Sequence, residues 1–390
     1  MDYIYLDNDA STRVDDAVVK AMLPFFGRDY GMASSEFGHS FGVTGRKAIS
    51  HAREVIAEKI NASPEEIIFT SGVVESNNLA LRGAVSAKKG DIITSSIEQN
   101  TVLNTAKFLS EDKRVKLTTI PVDRQGFVDM KMLEQSITKN TSIVSIQHAN
   151  QEIGTIQDIA KIGQLCRKNG TLFHCDASHS FLKAPIDVKK MNVDLMTLSS
   201  HNIYGPKGVA ALYIRKGVEL VPLLYGGGEQ GGIRPGLEDV PSIVGFGKAV
   251  EVYNEKDNAK MRDVRDYLIS KLTKLKDTSL NGPVGDKRLC NNVNMTFKYV
   301  EGESILLHLD MRGIAVTTGS ACFSRDLTPS HVIIALGRSH GDAHGSVRFS
   351  LSKYNTKSQM NYVAKNVAEV VEKLREISPI VENKTKDCKL

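Results

Sequence analysis

Cys322 sits in "GSACFS", after Gly319, Ser320 and Ala321 and ahead of a polar loop that runs to a helix start near Pro329 and Ser330. A cysteine on an exposed loop can ionise, and the thiolate is the form that attacks sulfur or binds metal. Arg348, in "SVRFSLS", interrupts an apolar strand pattern. A guanidinium there needs an anion, either an internal carboxylate or that of a ligand. "HCDAS" ends a strand on Asp176, placed to pair with a ligand cation or to cap the next turn. "FTSGVVESNN" reads as strand, glycine turn and helix start, so Ser71 and Gly72 either present N–H groups to an anion or simply form a turn. "SSHNIYGPKG" leaves another strand through Ser199, His201 and the uncharged Asn202. "YGGGEQGGIRPG" packs six glycines between Gly226 and Gly236, a sign that backbone closely approaches a ligand or another chain.

The other cysteines are read as structural: Cys175 in an apolar strand, Cys166 in a helical pattern, Cys290 beside "NNVNMTF" and Cys388 in the C-terminal tail. Five cysteines without a CxxC pair argue against a disulfide framework and against a self-contained zinc site.

The elements that must position these residues form an alternating pattern. "EEIIFTSG", "DIITSS", "KLTTIPV", "SIVSIQHAN", "TLFHCDAS", "DLMTLSS" and "VAALYI" read as strands. "ESNNLALRGAVSAKK", "TVLNTAKFLS" and "QDIAKIGQLCRKNG" read as the helices between them. This is an α/β pattern with a mostly parallel sheet, whose ligands bind beyond the carboxyl ends of the strands. "GRKAISHAREVIAEKI" places Ile49, Ala52, Ile56 and Ile60 on one helix face that docks on the sheet. A charged helical stretch, "NEKDNAKMRDVRDYLISKLTKLKD", leads into a second domain. That domain closes on a helix carrying Val363, Val367, Val370, Leu374 and Ile377, followed by a polar tail expected to be disordered.

Hydrophobic residues make up 41% and charged residues 24%, mean hydropathy is −0.20, and the net charge is +5 with both signs interspersed. This composition fits a globular protein and gives no nucleic-acid footprint. No apolar run has the length of a membrane span, and "MDYIYLDND" lacks a signal-peptide pattern, so the expected location is cytoplasmic.

Taken together, "YLDNDAST", "FTSGVVESNNLA", "QHANQEIGTIQDIA", "FHCDASHS", "DLMTLSSHNIYGPKG", "GGGEQGGIRPG", "GSACFS" and "VRFSLS" resemble the cysteine desulfurases, class V aminotransferases with the fold-type I pyridoxal phosphate (PLP) architecture. The resemblance implies a homodimer with a large PLP-type domain over residues 12–254. It implies a smaller α/β domain from 1–11 and 255–380, carrying the Cys322 loop, with 381–390 as the tail. It further implies that Cys322 carries persulfide for an iron–sulfur scaffold protein or another sulfur acceptor, and that Arg348 holds the substrate carboxylate.

Several positions depart from the family pattern. Asn202 stands where the family has its Schiff-base lysine, and an amide is neither nucleophilic nor basic. Lys207 is no substitute, since the family has that lysine as well. Gln99 replaces the histidine stacked on the cofactor ring, and Gln151 replaces an asparagine near the ring hydroxyl. His179 replaces a glutamine, while Val73 and Val74 stand where the family has alanine and a phosphate-binding threonine. Leu237 stands where a threonine reaches the phosphate from the second subunit. A phosphate oxygen buried without its donor is costly. Asp176, Ser199 and His201 remain.

The expectation is a desulfurase-like protein of iron–sulfur assembly or sulfur transfer that lacks covalent PLP and normal desulfurase activity. It would act through Cys322 as persulfide carrier, iron–sulfur cluster ligand or scaffold partner. One alternative is a slow desulfurase that binds PLP non-covalently through Asp176, His201 and Ser199. Another is a repurposed pocket in which Gln99, Gln151, His179, Asp176, Asn202 and Arg348 hold a carboxylate-bearing small molecule.

Overall fold

The computed structural model describes residues 3–319 and 328–378. Cys322, with its expected persulfide or cluster role, and the expected disordered tail 381–390 lie outside the described residues.

The chain opens with β1 (Ile4–Tyr5), α1 (Asp16–Met22), α2 (Ser40–Lys59), β2 (Ile67–Thr70), α3 (Val73–Ala87), β3 (Asp91–Ser95), α4 (Asn100–Leu109) and β4 (Leu117–Ile120). It continues through α5 (Met130–Ser136), β5 (Thr141–Ser145), α6 (Ile159–Asn169), β6 (Leu172–Asp176), β7 (Leu195–Ser199), β8 (Ala210–Ile214), α7 (Val240–Val252) and α8 (Lys256–Leu272). Then follow β9 (Thr278–Leu280), β10 (Asn292–Phe297), α9 (Gly302–Asp310), β11 (Ile314–Ala315), α10 (His331–Ala335), α11 (His340–His344), β12 (Ser346–Ser350) and α12 (Lys357–Ile377).

All seven strands expected between residues 65 and 215 form, and they share one sheet in the order β2-β8-β7-β6-β5-β3-β4. β8 alone runs against its neighbours β2 and β7, while the pairs among β3, β4, β5, β6 and β7 are parallel. Strands covered on both faces need near-continuous apolar runs, and β5 and β7 are buried at every residue. α2 packs its expected face, with Ile49, Ala52 and Ile56 buried and Ile60 buried just beyond its end. Each large aliphatic side chain removed from water there contributes about 2 kcal/mol. α6 starts on Asp158, whose side chain accepts from the Lys161 N–H, and stops at Gly170 in the left-handed conformation (φ 66°).

A second core joins the two ends of the chain: Ile4 and Leu6 pack with Val293, Met295, Phe297, Val347, Phe349, Val363 and Val367. It covers a sheet of order β12-β10-β9, and β1 pairs in parallel with β11 alongside it. α12 begins with a reciprocal capping box between Thr356 and Gln359. Val363, Val367 and Val370 are buried as expected, whereas Ile377 is 77% exposed because the helix outruns the core by its last turn.

Candidate active site

Between the two sheets lies a cavity of about 710 Å³. Its walls come from residues just past the carboxyl ends of parallel strands: Val73 and Val74 after β2, Ser96 and Gln99 after β3, Gln151 and Glu152 after β5, His179 after β6, and His201 and Asn202 after β7. Each strand ends where its backbone N–H and C=O groups lose their ladder partners, so polar side chains gather at that edge. Arg348 from β12, Thr318, Gly319 and the segment 328–331 close the opposite side.

Seven of the expected site residues therefore converge: Val74, Gln99, Gln151, His179, His201, Asn202 and Arg348. Asp176 and Ser199 do not reach the wall. Both Asp176 oxygens are engaged, Oδ2 by the Asn77 side-chain amide at 2.8 Å and Oδ1 by the Ser178 N–H at 2.9 Å. Of the two roles open to it, turn cap and cation partner, this carboxylate fills the first. Ser199 is fully buried on β7, and its hydroxyl has no hydrogen-bond partner among the described residues. The anion reading of Ser71 is corrected, because the Glu75 carboxylate already accepts the Ser71 N–H at 2.6 Å.

Asn202 lies on the short 3₁₀ turn His201–Ile203 that follows β7 and is buried. Its Nδ2 donates to the Ser178 carbonyl at 3.1 Å and approaches His179 Nδ1 at 3.5 Å, while its Oδ1 is unpaired among the described residues. Gln99 touches Ser178 Oγ at 3.5 Å. Arg348 makes the internal contact of its two readings. Nη2 donates to Asp7 Oδ1 at 2.9 Å, an internal ion pair, and Nε has no partner among the described residues. Gln151 Oε1, Glu152 Oε1 and His201 Nδ1 are also buried without partners among the described residues. Buried polar atoms are normally satisfied, so this many orphans around one cavity mark a site that takes a polar ligand or water.

Burial pushes the His201 imidazole down to about 4, helped by the nearby charges of His179, Lys183 and Lys207, so the ring is neutral near neutral pH. Burial pushes the Glu152 carboxyl up, against the pull of Ser330 and Arg348. Glu152 also stands directly over Gly319, where an added Cβ would fall 1.9 Å from Oε1, so a side chain there would displace the Glu152 carboxylate.

Reading the sequence alone missed three participants. Asp9 lines the cavity, with Oδ1 accepting the Asn291 side-chain amide at 2.9 Å and lying 3.9 Å from His179 Nδ1 and 3.7 Å from Lys183 Nζ. Lys183 is buried, with its Nζ making no hydrogen bond among the described residues. Glu152 is the third. The polar character of "YLDNDAST" was the one available signal for Asp9, and nothing local tied it to a site almost two hundred residues away.

Residues 4–363 match the family described as aminotransferase class-V. The chain is 46% identical over 383 residues to cysteine desulfurase IscS of Dictyoglomus turgidum, covering 96% of each chain. The chain belongs to the cysteine desulfurase family. It is also 45% identical to cysteine desulfurase IscS 1 of Archaeoglobus fulgidus, over 96% of this chain and 99% of that one. Among solved structures, a NifS-like protein superposes with a TM-score of 0.88 at 36% identity, covering 95% of this chain and 100% of the other. The cysteine desulfurase fold therefore accounts for the large mixed sheet, the smaller sheet and the cavity between them. No helix among the described residues is long and apolar enough to cross a membrane.

Proposed function

We propose that this member of the cysteine desulfurase family serves sulfur transfer or iron–sulfur assembly without covalently bound PLP, acting through Cys322. The observation that carries this reading is Asn202. At the position that resembles the family's Schiff-base lysine, the cavity wall presents an amide, hydrogen-bonded to Ser178 and unable to form an imine. Among the described residues, the lysine lining the cavity is Lys107, exposed on α4.

The rest of the cup agrees. Val73 and Val74 bring no hydroxyl to a phosphate, and Asp176 is already engaged by Asn77 and Ser178. These residues do not fit a covalently held PLP. Cys322 instead takes sulfur by exchange: its thiolate attacks the terminal sulfur of a persulfide donor, the donor's S–S bond breaks, and the donor leaves as a thiolate. The acceptor would be an iron–sulfur scaffold protein, with Cys322 as persulfide carrier or cluster ligand. A homodimer in the cytoplasm is part of this reading, supported by the exposed apolar side chains Leu23, Phe26, Tyr30, Phe37 and Phe41 near the N-terminus.

The test is a visible spectrum of the purified protein before and after incubation with PLP, with sulfide release from cysteine measured in parallel. No imine band and no sulfide are expected, together with loss of persulfide transfer and scaffold binding in Cys322→Ser. A borohydride-stable PLP adduct with sulfide release would overturn the reading. The unpaired His201 Nδ1 on the cavity wall favours one second reading, a non-covalent PLP site, which predicts reversible PLP uptake without an adduct.

A further inference from the structure

His179 is the one cavity residue that combines a basic ring with a carboxylate aligned behind it. Its Nδ1 lies 3.9 Å from Asp9 Oδ1, within ion-pair reach. Asp9 is fixed on three sides: its N–H donates to Ser350 Oγ at 2.9 Å, Asn291 donates to Oδ1 at 2.9 Å, and Lys183 Nζ stands 3.7 Å away. Burial alone would push the Asp9 carboxyl up, but His179, Lys183 and Arg348 together hold it well below the usual carboxylate range. The carboxylate is therefore a permanent charge. The Asn202 amide nitrogen lies 3.5 Å from the same Nδ1, but it donates to the Ser178 carbonyl at 3.1 Å, and the fixed negative charge of Asp9 facing Nδ1 favours the proton on that nitrogen, which leaves the lone pair on Nε2. Nε2 makes no hydrogen bond among the described residues, and His179 lines the cavity.

The other wall groups are placed for less: the His331 imidazole is pushed down by burial, and its Nε2 is engaged by the Glu98 carbonyl at 3.0 Å. Gln99, Gln151 and Asn202 are amides without a basic lone pair. His201 has been pushed down to about 4 and is a weak base. Burial pushes the Glu152 carboxyl up, and its charged neighbour is the Arg348 guanidinium rather than a carboxylate that would strengthen it as a base. Arg348, with Nε unpaired, stands ready for an anion on the same cavity.

We propose that His179, with Asp9 as its positioning residue, is the acid–base group of this cavity and takes the thiol proton of a small thiol-bearing carboxylate held by Arg348. The ligand S–H bond breaks, an N–H bond forms at Nε2, and the negative charge stays on sulfur beside the new imidazolium. No electron changes hands. The reverse transfer returns the proton to a departing thiolate, which is what a small donor releases after giving up its terminal sulfur. This inference rests on the reading of the cavity as free of covalent PLP.

The experiment uses β-mercaptopropionate and propionate with the full-length protein. Neither has an amine, so neither can form an imine, and the result is independent of any PLP chemistry. Binding is followed by calorimetry and thiolate formation by ultraviolet difference absorbance across a pH series. The wild-type protein is expected to bind both probes and to raise the thiolate fraction of bound β-mercaptopropionate about tenfold near neutral pH, one unit of apparent pKa. His179→Gln should bind both probes and lose that rise. Asp9→Asn should bind them and show a displaced pH profile, and Arg348→Lys should lose affinity for both. The proposal is overturned if His179→Gln keeps the thiolate rise, if the wild-type protein binds neither probe, or if His179→Gln and Arg348→Lys lose propionate binding alike. A PLP imine band in the same preparation would instead count against the proposed function, leaving the thiolate result to be judged by itself.

Discussion

The Glu75 carboxylate accepts the backbone N–H of Ser71 at 2.6 Å and, through its other oxygen, the Arg234 guanidinium at 3.0 Å. Burial works against this charge, but the Ser71 and Arg234 contacts win and hold the Glu75 carboxyl below its usual range. The start of α3 thus carries an anion of its own beside the helix dipole. Removing it should open the turn to other anions. Glu75→Gln is expected to strengthen inorganic phosphate binding about fivefold, equal to roughly 1 kcal/mol of dipole and charge. Calorimetric titration with phosphate checks this, and equal affinities in the two proteins would refute it.

Asn202 gives the second prediction. Because it lines an open cavity, a longer side chain at 202 can extend into free volume rather than into packed core. Asn202→Lys should yield a borohydride-trappable PLP adduct, read as a mass increment on intact protein. Sulfide release should stay at background, since Gln99 supplies no acid–base group at its place on the wall. Adding Gln99→His to that variant should raise sulfide release by about a hundredfold, the lower range of a general acid–base contribution. An adduct-free Asn202→Lys protein would show that the phosphate end alone excludes the cofactor.

Much of the scaffold could be read from the sequence because its strands are short branched runs bounded by turns. "SIVSIQHAN" and "DLMTLSS" could hardly be anything else once helices alternate with them, and the strand ends then located Gln99, Gln151, His179 and Asn202 along one edge. What could not be read was the contribution of the other sheet. Asp9 reaches the cavity because Asn8 Nδ2 and the Asp9 N–H bond to Ser350, at the end of β12. That pairing joins positions more than three hundred residues apart, and no local pattern encodes it. The same holds for the engagement of Asp176 by Asn77, which fixed a choice that spacing had left open.

Burial pushes the Cys166 thiol up to about 12 and the Cys290 thiol up to about 11, and Cys175 well above the ordinary value. All three are buried, so they should remain unalkylated by iodoacetamide in the native protein at mildly alkaline pH and react fully after unfolding. Peptide mass mapping reads this directly. Native labelling of Cys290, whose thiol meets Asn258 Oδ1 at 3.6 Å, would signal local opening around that contact.

Glu98, beneath Gln99, makes stability depend on pH in a predictable direction. Burial pushes its carboxyl up to about 8, against the hydrogen bonds from Ser95 and the Gln147 N–H, with Asp176 pushing the same way as burial. The folded protein therefore holds a proton on Glu98 that the unfolded chain, near its ordinary 4.5, gives up. The resulting stabilisation is full below the unfolded value and is lost as pH rises towards 8. Below an ordinary histidine value of 6.5, His148 and His201, both pushed down to about 4 with burial as the leading cause, act in the opposite sense: the folded state binds fewer protons and loses stability as pH falls. Between 6.5 and 8 the Glu98 contribution stands apart from those two histidines. In that window, urea unfolding should show stability falling with rising pH by up to about 1.4 kcal/mol per unit. Glu98→Gln should flatten the slope, and an unchanged slope in that variant would show that Glu98 does not titrate there.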